Sequence, residues 1–264
     1  MRETWHSGDM RLTILGSSGS VPAPGNPASG YLVSAGDAPS LLIDMGPGVL
    51  AALQEVQDPT DAHVLLSHLH ADHCADFPSL MVWRRFHPDA EAKSRNFCFA
   101  PSYAPVHLGR LSSDDPDGVD DMSDTFAFSP WQERVPELID RVTVTPYRVV
   151  HPVETYALRV VENSTGRIIT YSGDTAYTEA LVDAARDADI FLCEATWGDS
   201  PQDKAPGMHI SAQEAGEIAT LAGVGKLIIT HIPPWVDPER AVTAAGEYFD
   251  GPIIAGRPGM QFDL

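Results

Sequence analysis

The stretch Ser67-His68-Leu69-His70-Ala71-Asp72-His73 places three imidazoles and a carboxylate within six residues, a density that ordinary core or surface turns do not need. A polar turn with locally satisfied histidines accounts for one such residue, not for four in this order. The run His63-Val64-Leu65-Leu66 predicts a strand that delivers the chain to a sharp turn. His68 and His70 can then point together at one ion, and Asp72 and His73 at a second. Neutral imidazole nitrogen and carboxylate oxygen suit zinc, manganese or iron, so the donor set selects borderline divalent metals without choosing among them. Such a cluster needs further donors. The ends of three more strand-like runs offer them: His151 after Val149-Val150, Asp174 in Tyr171-Ser172-Gly173-Asp174-Thr175, and His231 after Ile229-Thr230.

The rest of the chain reads as mixed α/β. With 264 residues, 43% of them hydrophobic, it can bury a large core, and no linker divides it. We expect one domain over residues 11–264, with residues 1–10 as a loose extension. Apolar patterning predicts strands at 11–15, 30–35, 40–43, 141–150, 156–161, 167–171, 190–193, 227–230 and 252–255. Helices are expected at 49–56, 77–86, 179–188, 211–222 and 238–249, the fourth opened by Ser211 with Glu214 three residues on, as in a capping box. Gly16, Gly19 and prolines 22, 24 and 27 build a loop after the first strand, serving either as a simple turn or for close backbone approach. From Ser112 to Glu137 eight acidic residues face the single Arg134, which reads as a solvated, partly mobile surface excursion. Its spacing lacks the ligand order of a calcium loop. Arg84 and Arg85 lie on the expected 77–86 helix, either on a solvated face or reaching a substrate phosphate.

Charge and cysteines narrow the partners. A net charge of −20 repels polyanions over most of the surface, which disfavours nucleic acid. Cys74, Cys98 and Cys193 form no paired framework, so a reducing cytoplasm is the expected setting. Cys74 follows a donor histidine and is expected to pack rather than ligate. No run approaches a signal peptide or membrane helix, so a soluble protein is expected. The chain leaves a homodimer open.

The ordered set His68-x-His70-x-Asp72-His73, His151, Asp174 and His231 resembles the metallo-β-lactamase fold superfamily from about Arg11 onwards. Leu15-Gly16-Ser17-Ser18-Gly19-Ser20, Ile43-Asp44-Met45-Gly46-Pro47-Gly48, Ser172-Gly173-Asp174-Thr175 and Glu194-Ala195-Thr196 are similar to its branch containing tRNase Z and class II phosphodiesterases. Ser29-Gly30-Tyr31, Val82-Trp83-Arg84-Arg85-Phe86-His87-Pro88 and Thr230-His231-Ile232-Pro233-Pro234-Trp235 are similar to the atypical class II cyclic-nucleotide phosphodiesterases of mycobacteria and other actinobacteria.

This resemblance implies a four-layer αβ/βα sandwich and two divalent metal ions, first of all zinc, with manganese or iron as alternatives. One would be held by His68, His70 and His151, the other by Asp72, His73 and His231, with Asp174 bridging. Asp44 would be a buried acid orienting the histidine turn. Asp72, His209 and Glu194 carry over as catalytic residues, His209 donating a proton and Glu194 setting its tautomer. The implied reaction is hydrolysis of a 3′,5′-cyclic nucleotide, cAMP to 5′-AMP, by a metal-bridging hydroxide, on a small-molecule phosphodiester and away from membranes. Two-metal centres of this superfamily also open lactones, thioesters and sulfate esters, so chemistry alone stops at hydrolase. The tRNase Z alternative departs from the pattern here: only 22 residues separate His151 from Asp174, too few for the RNA-gripping arm. Di-iron oxygen or nitric-oxide reductases usually place glutamate where His70 stands, and a scaffold would not need an open metal pair.

Overall fold

The computed structural model describes residues 10–264. The extension expected over residues 1–9 lies outside them, and Met10, read above as its last residue, instead opens the first strand with a fully buried side chain. Burying a methionine there contributes about 1.5–3 kcal/mol, enough to draw it into the sheet.

Two seven-stranded sheets face each other. The first contains β1 (Met10–Gly16), β2 (Gly30–Ala35), β3 (Ser40–Ile43), β4 (Ala62–Leu65), β5 (Asn96–Ala100) and β6 (Phe126–Pro130) in that order, with β14 (Gln261–Asp263) beside β1. The second contains β7 (Glu137–Ile139), β8 (Val142–Arg148), β9 (Tyr156–Glu162), β10 (Ile168–Tyr171), β11 (Ile190–Glu194), β12 (Leu227–Thr230) and β13 (Ile253–Ala255), again neighbour by neighbour. Strands β3 to β6 pair in parallel, as do β10 to β13.

Alternation along the strands sorts side chains into three apolar layers. Leu12, Val33, Leu65, Val144, Leu158 and Ile228 meet between the sheets. Leu42, Val64 and Cys98 face outwards from the first sheet against α1 (Val49–Gln54), α3 (Phe77–Phe86) and α4 (Ala104–Ser112). Phe191, Cys193 and Ile229 face α5 (Glu179–Ala185), α6 (Ala212–Ala222) and α7 (Pro238–Gly246) across the second sheet. Helix, sheet, sheet, helix is the expected four-layer sandwich. All three cysteines are buried in these layers, Cys74 with its Sγ against the Leu69 carbonyl rather than towards the histidines.

The acidic segment is less of an excursion than its composition predicts. Phe126 is fully buried, residues 126–130 form the edge strand β6, and Trp131 is buried with its indole N–H donating to the Leu66 carbonyl. Asp120 and Asp124 are also used, pairing with Arg85. Among the described residues no helix is long and apolar enough to cross a membrane.

Candidate metal centre

Parallel pairing puts the carboxyl ends of β3 and β4 side by side, and the same direction in β8, β10, β11 and β12 brings theirs to the facing edge of the second sheet. The chain leaves β3 at Asp44 and β12 at His231, both in the left-handed region at φ 56° and 52°. Aspartate and histidine are among the few non-glycine types that enter this region with any frequency. The short helix α2 (Ala71–Cys74) ends the histidine turn, and Met45 and Ser29 N–H groups donate to the carbonyls of His73 and Asp72. Close backbone approach to the donor loops is required at Gly46 and Gly19. A Cβ on Gly46 would lie 2.0 Å from the Asp72 carbonyl oxygen, and one on Gly19 2.3 Å from that of His231. The Gly16–Gly19 loop is therefore a support for His231 as well as a turn.

Two donor clusters share one carboxylate. His68, His70, His151 and Asp174 each bring one donor atom within 4.8 Å of all the others, and so do Asp72, His73, Asp174 and His231. In the first, His70 Nδ1 lies 3.2 Å from both His68 Nε2 and His151 Nε2, while Asp174 Oδ2 lies 3.8 and 4.0 Å from those two nitrogens. In the second, His231 Nε2 lies 3.1 Å from His73 Nε2 and from Asp72 Oδ2, and Asp174 Oδ1 lies 3.3 and 3.6 Å from His73 and His231. Asp174 thus turns one oxygen to each cluster. All seven residues expected as ligands converge here.

These residues fit divalent cations on three grounds. Donors about 2.0–2.1 Å from a tetrahedral ion sit roughly 3.3 Å from one another, close to the separations found. Asp174 Oδ1 is buried without a hydrogen-bond partner, a costly condition for a carboxylate oxygen unless a cation meets it. Four imidazoles also commit Nδ1 outwards: His68 to Ser67 Oγ at 3.0 Å, His73 to Asp44 Oδ2 at 2.8 Å, His151 to the Met208 carbonyl at 2.9 Å and His231 to Thr196 Oγ1 at 2.6 Å. Their Nε2 lone pairs are left facing inwards, as ligation demands.

Without a cation, titration separates His73 from the first cluster. Burial, with His73 beside it, lowers the pKa of His68, and burial lowers those of His70 and His151, keeping neutral the form that ligates. At His73 burial opposes protonation, but the carboxylates of Asp174 and Asp44 outweigh it and raise the pKa well above the usual imidazole range. Burial likewise opposes ionisation of Asp72, yet His231 and His73 outweigh it and hold the carboxyl well below its usual range.

Asp44 occupies the orienting position implied for it. It is fully buried and accepts from Ser67 N, Ser67 Oγ, His73 Nδ1 and the Tyr171 hydroxyl at 2.7–2.9 Å. Replacing it with asparagine, which tolerates the left-handed backbone, isolates the charge. We expect Asp44→Asn to weaken metal binding about 10- to 100-fold with the fold intact, read by competition against a chelator. Unchanged affinity would reduce Asp44 to a turn former.

His209 stands beside both clusters, its ring centroid 5.3 Å from that of His151 and 5.8 Å from that of His231. Its Nδ1 lies 3.0 Å from Glu194 Oε1, which leaves Nε2 free. Burial lowers its pKa, but Glu194 and Asp174 outweigh this and raise it to about 9. Glu194, His209 and His231 also converge, yet Glu194 is spent on His209 and on the N–H groups of Thr175 and Thr196. Helix α6 begins just beyond, and its capping box between Ser211 and Glu214 fixes that end of the loop.

Neither reading of Arg84 survives. Its guanidinium is buried and donates to Thr60, Ser94, Asn96 and Thr125, at the amino ends of β4, β5 and β6, the edge opposite the histidines. Arg85 is occupied there by Asp120 and Asp124. The sequence reading quoted Thr196 without a role and missed the Met208 carbonyl; they orient His231 and His151. A peptide oxygen carries no side-chain signal, and the Glu194-Ala195-Thr196 run does not by itself say which histidine its threonine meets. Arg148 was missed too: it lies over the Tyr156 ring, with Nη1 buried and unpartnered.

Two mixed sheets with flanking helices and His/Asp clusters able to bind metal at their shared edge define a metallo-hydrolase of the metallo-β-lactamase fold. The chain belongs to the beta-lactamase superfamily, whose domain profile matches residues 40–232. It is 47% identical to an uncharacterized protein of Mycobacterium tuberculosis over 246 residues, 93% of this chain and 89% of that one. It is 29% identical over 256 residues to the protein named probable metallo-hydrolase YhfI of Bacillus subtilis, covering 96% and 100%. The crystal structure of YhfI superposes with a TM-score of 0.85 over 97% of this chain and 100% of that one, at 26% identity. Human tRNase Z, short form, superposes with a TM-score of 0.73 at 20% identity over 96% and 98% of the two chains, a likeness of fold alone.

Proposed function

We propose that this metallo-hydrolase is a phosphodiesterase that opens 3′,5′-cyclic nucleotides, cAMP foremost, to 5′-monophosphates. It would work with two divalent cations, zinc first and manganese or iron as alternatives, in a reducing cytoplasm. The observation that carries the reading is the single carboxylate of Asp174 turned to two donor clusters, with a paired histidine standing beside both. When bound, a pair of such cations supplies Lewis acidity to a phosphoryl oxygen and acidifies water. The chain's own residues do the rest. His68, His70 and His151 would hold one cation and Asp72, His73 and His231 the other, with Asp174 shared between them. Hydroxide adds to phosphorus as the P–O3′ bond breaks, and His209 Nε2 gives its proton to the departing O3′ while Glu194 fixes Nδ1. The Asp44 network keeps the histidine turn in register, so little reorganisation accompanies the reaction.

Size and charge favour a small substrate. No lysine or arginine occurs between Arg11 and Arg84, so the loops at 16–28, 44–48 and 66–76 that border the site carry no cation. RNA binding depends on several phosphate contacts from basic side chains. Purified protein with zinc or manganese should therefore convert cAMP to 5′-AMP and leave a 3′-extended tRNA precursor uncut. Efficient precursor cleavage that strengthens at low salt, without cyclic-nucleotide turnover, would transfer the assignment to RNA processing. Turnover confined to lactones, thioesters or sulfate esters would transfer it to another ester class.

A further inference from the structure

Four exposed apolar side chains stand close in sequence to residues of the site, more than the metal chemistry requires. Val21 is 43% exposed, Val150 46%, Met208 37% and Trp235 72%. Each lies within four residues of Ser20, His151, His209 or His231. Ser20 belongs to this set because its N–H faces His231 Nε2 at 3.4 Å.

Trp235 is the largest of them, and its placement is built rather than incidental. It is carried on a turn closed by Val236 N–H donating to the Pro233 carbonyl. Pro233 and Pro234 restrict the backbone φ angles just ahead of it. The turn is pinned to the glycine loop: Ile232 N–H donates to Ser17 O, and Gly19 N–H donates to Ile232 O. Pro233, Pro234 and Val236 wall a cavity of about 400 Å³ against Ser17 and Arg257, and Trp235 is not part of that wall. Among the described residues its indole makes no hydrogen bond and no ring contact. Phe86 is equally exposed, but at the far end of α3, beside the Arg84 cage. Among the described residues, Trp235 alone pairs an open aromatic face with a rigid tether to a donor histidine.

Three cations of the neighbouring loops are already occupied, while Arg148, three residues before His151, keeps Nη1 without a hydrogen-bond partner. Lys204 is paired with Glu214, Arg240 with Asp199, and Arg257 with Glu239 at 2.9 Å. What Trp235 itself offers a partner is a flat π-surface, suited to stacking rather than to charge pairing.

We propose that Trp235 is a specificity-determining platform on which the base of a mononucleotide stacks while its phosphodiester reaches the donor clusters; this rests on the phosphodiesterase reading. Base–aromatic stacking predicts that Trp235→Ala raises KM for cAMP about 10- to 100-fold, with kcat within about threefold. Trp235→Phe should recover most of the loss. For ribose 3′,5′-cyclic phosphate, which has no base, the wild-type KM should already stand near that of Trp235→Ala for cAMP. In binding, 5′-AMP should quench tryptophan fluorescence in the wild type and not in Trp235→Phe, and ribose 5-phosphate should quench neither. An unchanged KM for cAMP in Trp235→Ala, or equal losses on cAMP and the base-free ester, would overturn the platform. Quenching of Trp235 by 5′-AMP without turnover of any cyclic nucleotide would overturn the phosphodiesterase reading and leave the platform standing.

Discussion

His151→Ala and His231→Ala should each cut turnover by about 1,000-fold or more while depleting different ions. Charge stabilisation by a bound cation is worth several kcal/mol, and each 1.36 kcal/mol is tenfold in rate. The two histidines come from different strands, β8 and β12, and face opposite oxygens of Asp174. Elemental analysis at limiting metal should therefore find each variant short of one ion before the other. Both side chains are buried, so thermal melts and a milder His151→Gln variant separate lost ligation from lost folding. Two ions per chain with wild-type turnover in either variant would remove that histidine from the centre.

His209→Ala should keep its metals and lose about 100- to 10,000-fold in turnover of a cyclic nucleotide, the range for a positioned general acid. Metal retention follows from the geometry, since His209 Nδ1 is engaged by Glu194 and both donor clusters are complete without this ring. The leaving group is the diagnostic. An alkoxide needs a proton and p-nitrophenolate does not, so on bis(p-nitrophenyl) phosphate the variant should lose less than about tenfold. Equal losses on both substrates would mean that His209 acts in binding or structure.

The residues of the two clusters were legible in the sequence because a donor set is marked by residue type and order, and both survive without knowledge of the fold. Long patterned elements were legible as well: the strand at Ser40–Ile43, the helix at Phe77–Phe86 and the capped helix after Ser211 lie where alternation, helical spacing and capping place them. What failed did so where a remote partner overrides a local signal. Phe126-Ala127-Phe128 is half a strand's worth of pattern inside an acidic stretch, and it becomes β6 only because β5 supplies the ladder. β5 itself is five residues after a charged run, and β14 is held chiefly by pairing with β1. Arg84 has the identity of a surface residue, and only Thr60, Ser94, Asn96 and Thr125, assembled from three separate segments, make its burial tolerable.

The division of donors between the sheets has a mechanical side. His68, His70, Asp72 and His73 hang from the first sheet, and His151, Asp174 and His231 from the second, while the layer between them is apolar and non-directional. An ion gripped from both sides is a cross-link that exists only when the halves are docked. By mass action it would add about 2.7 kcal/mol of resistance to unfolding at a free concentration of 100 Kd. The stability of the folded chain would then rise and fall with the metal supply of its surroundings, and starvation for the ion would loosen the seam between the sheets as it silences the chemistry.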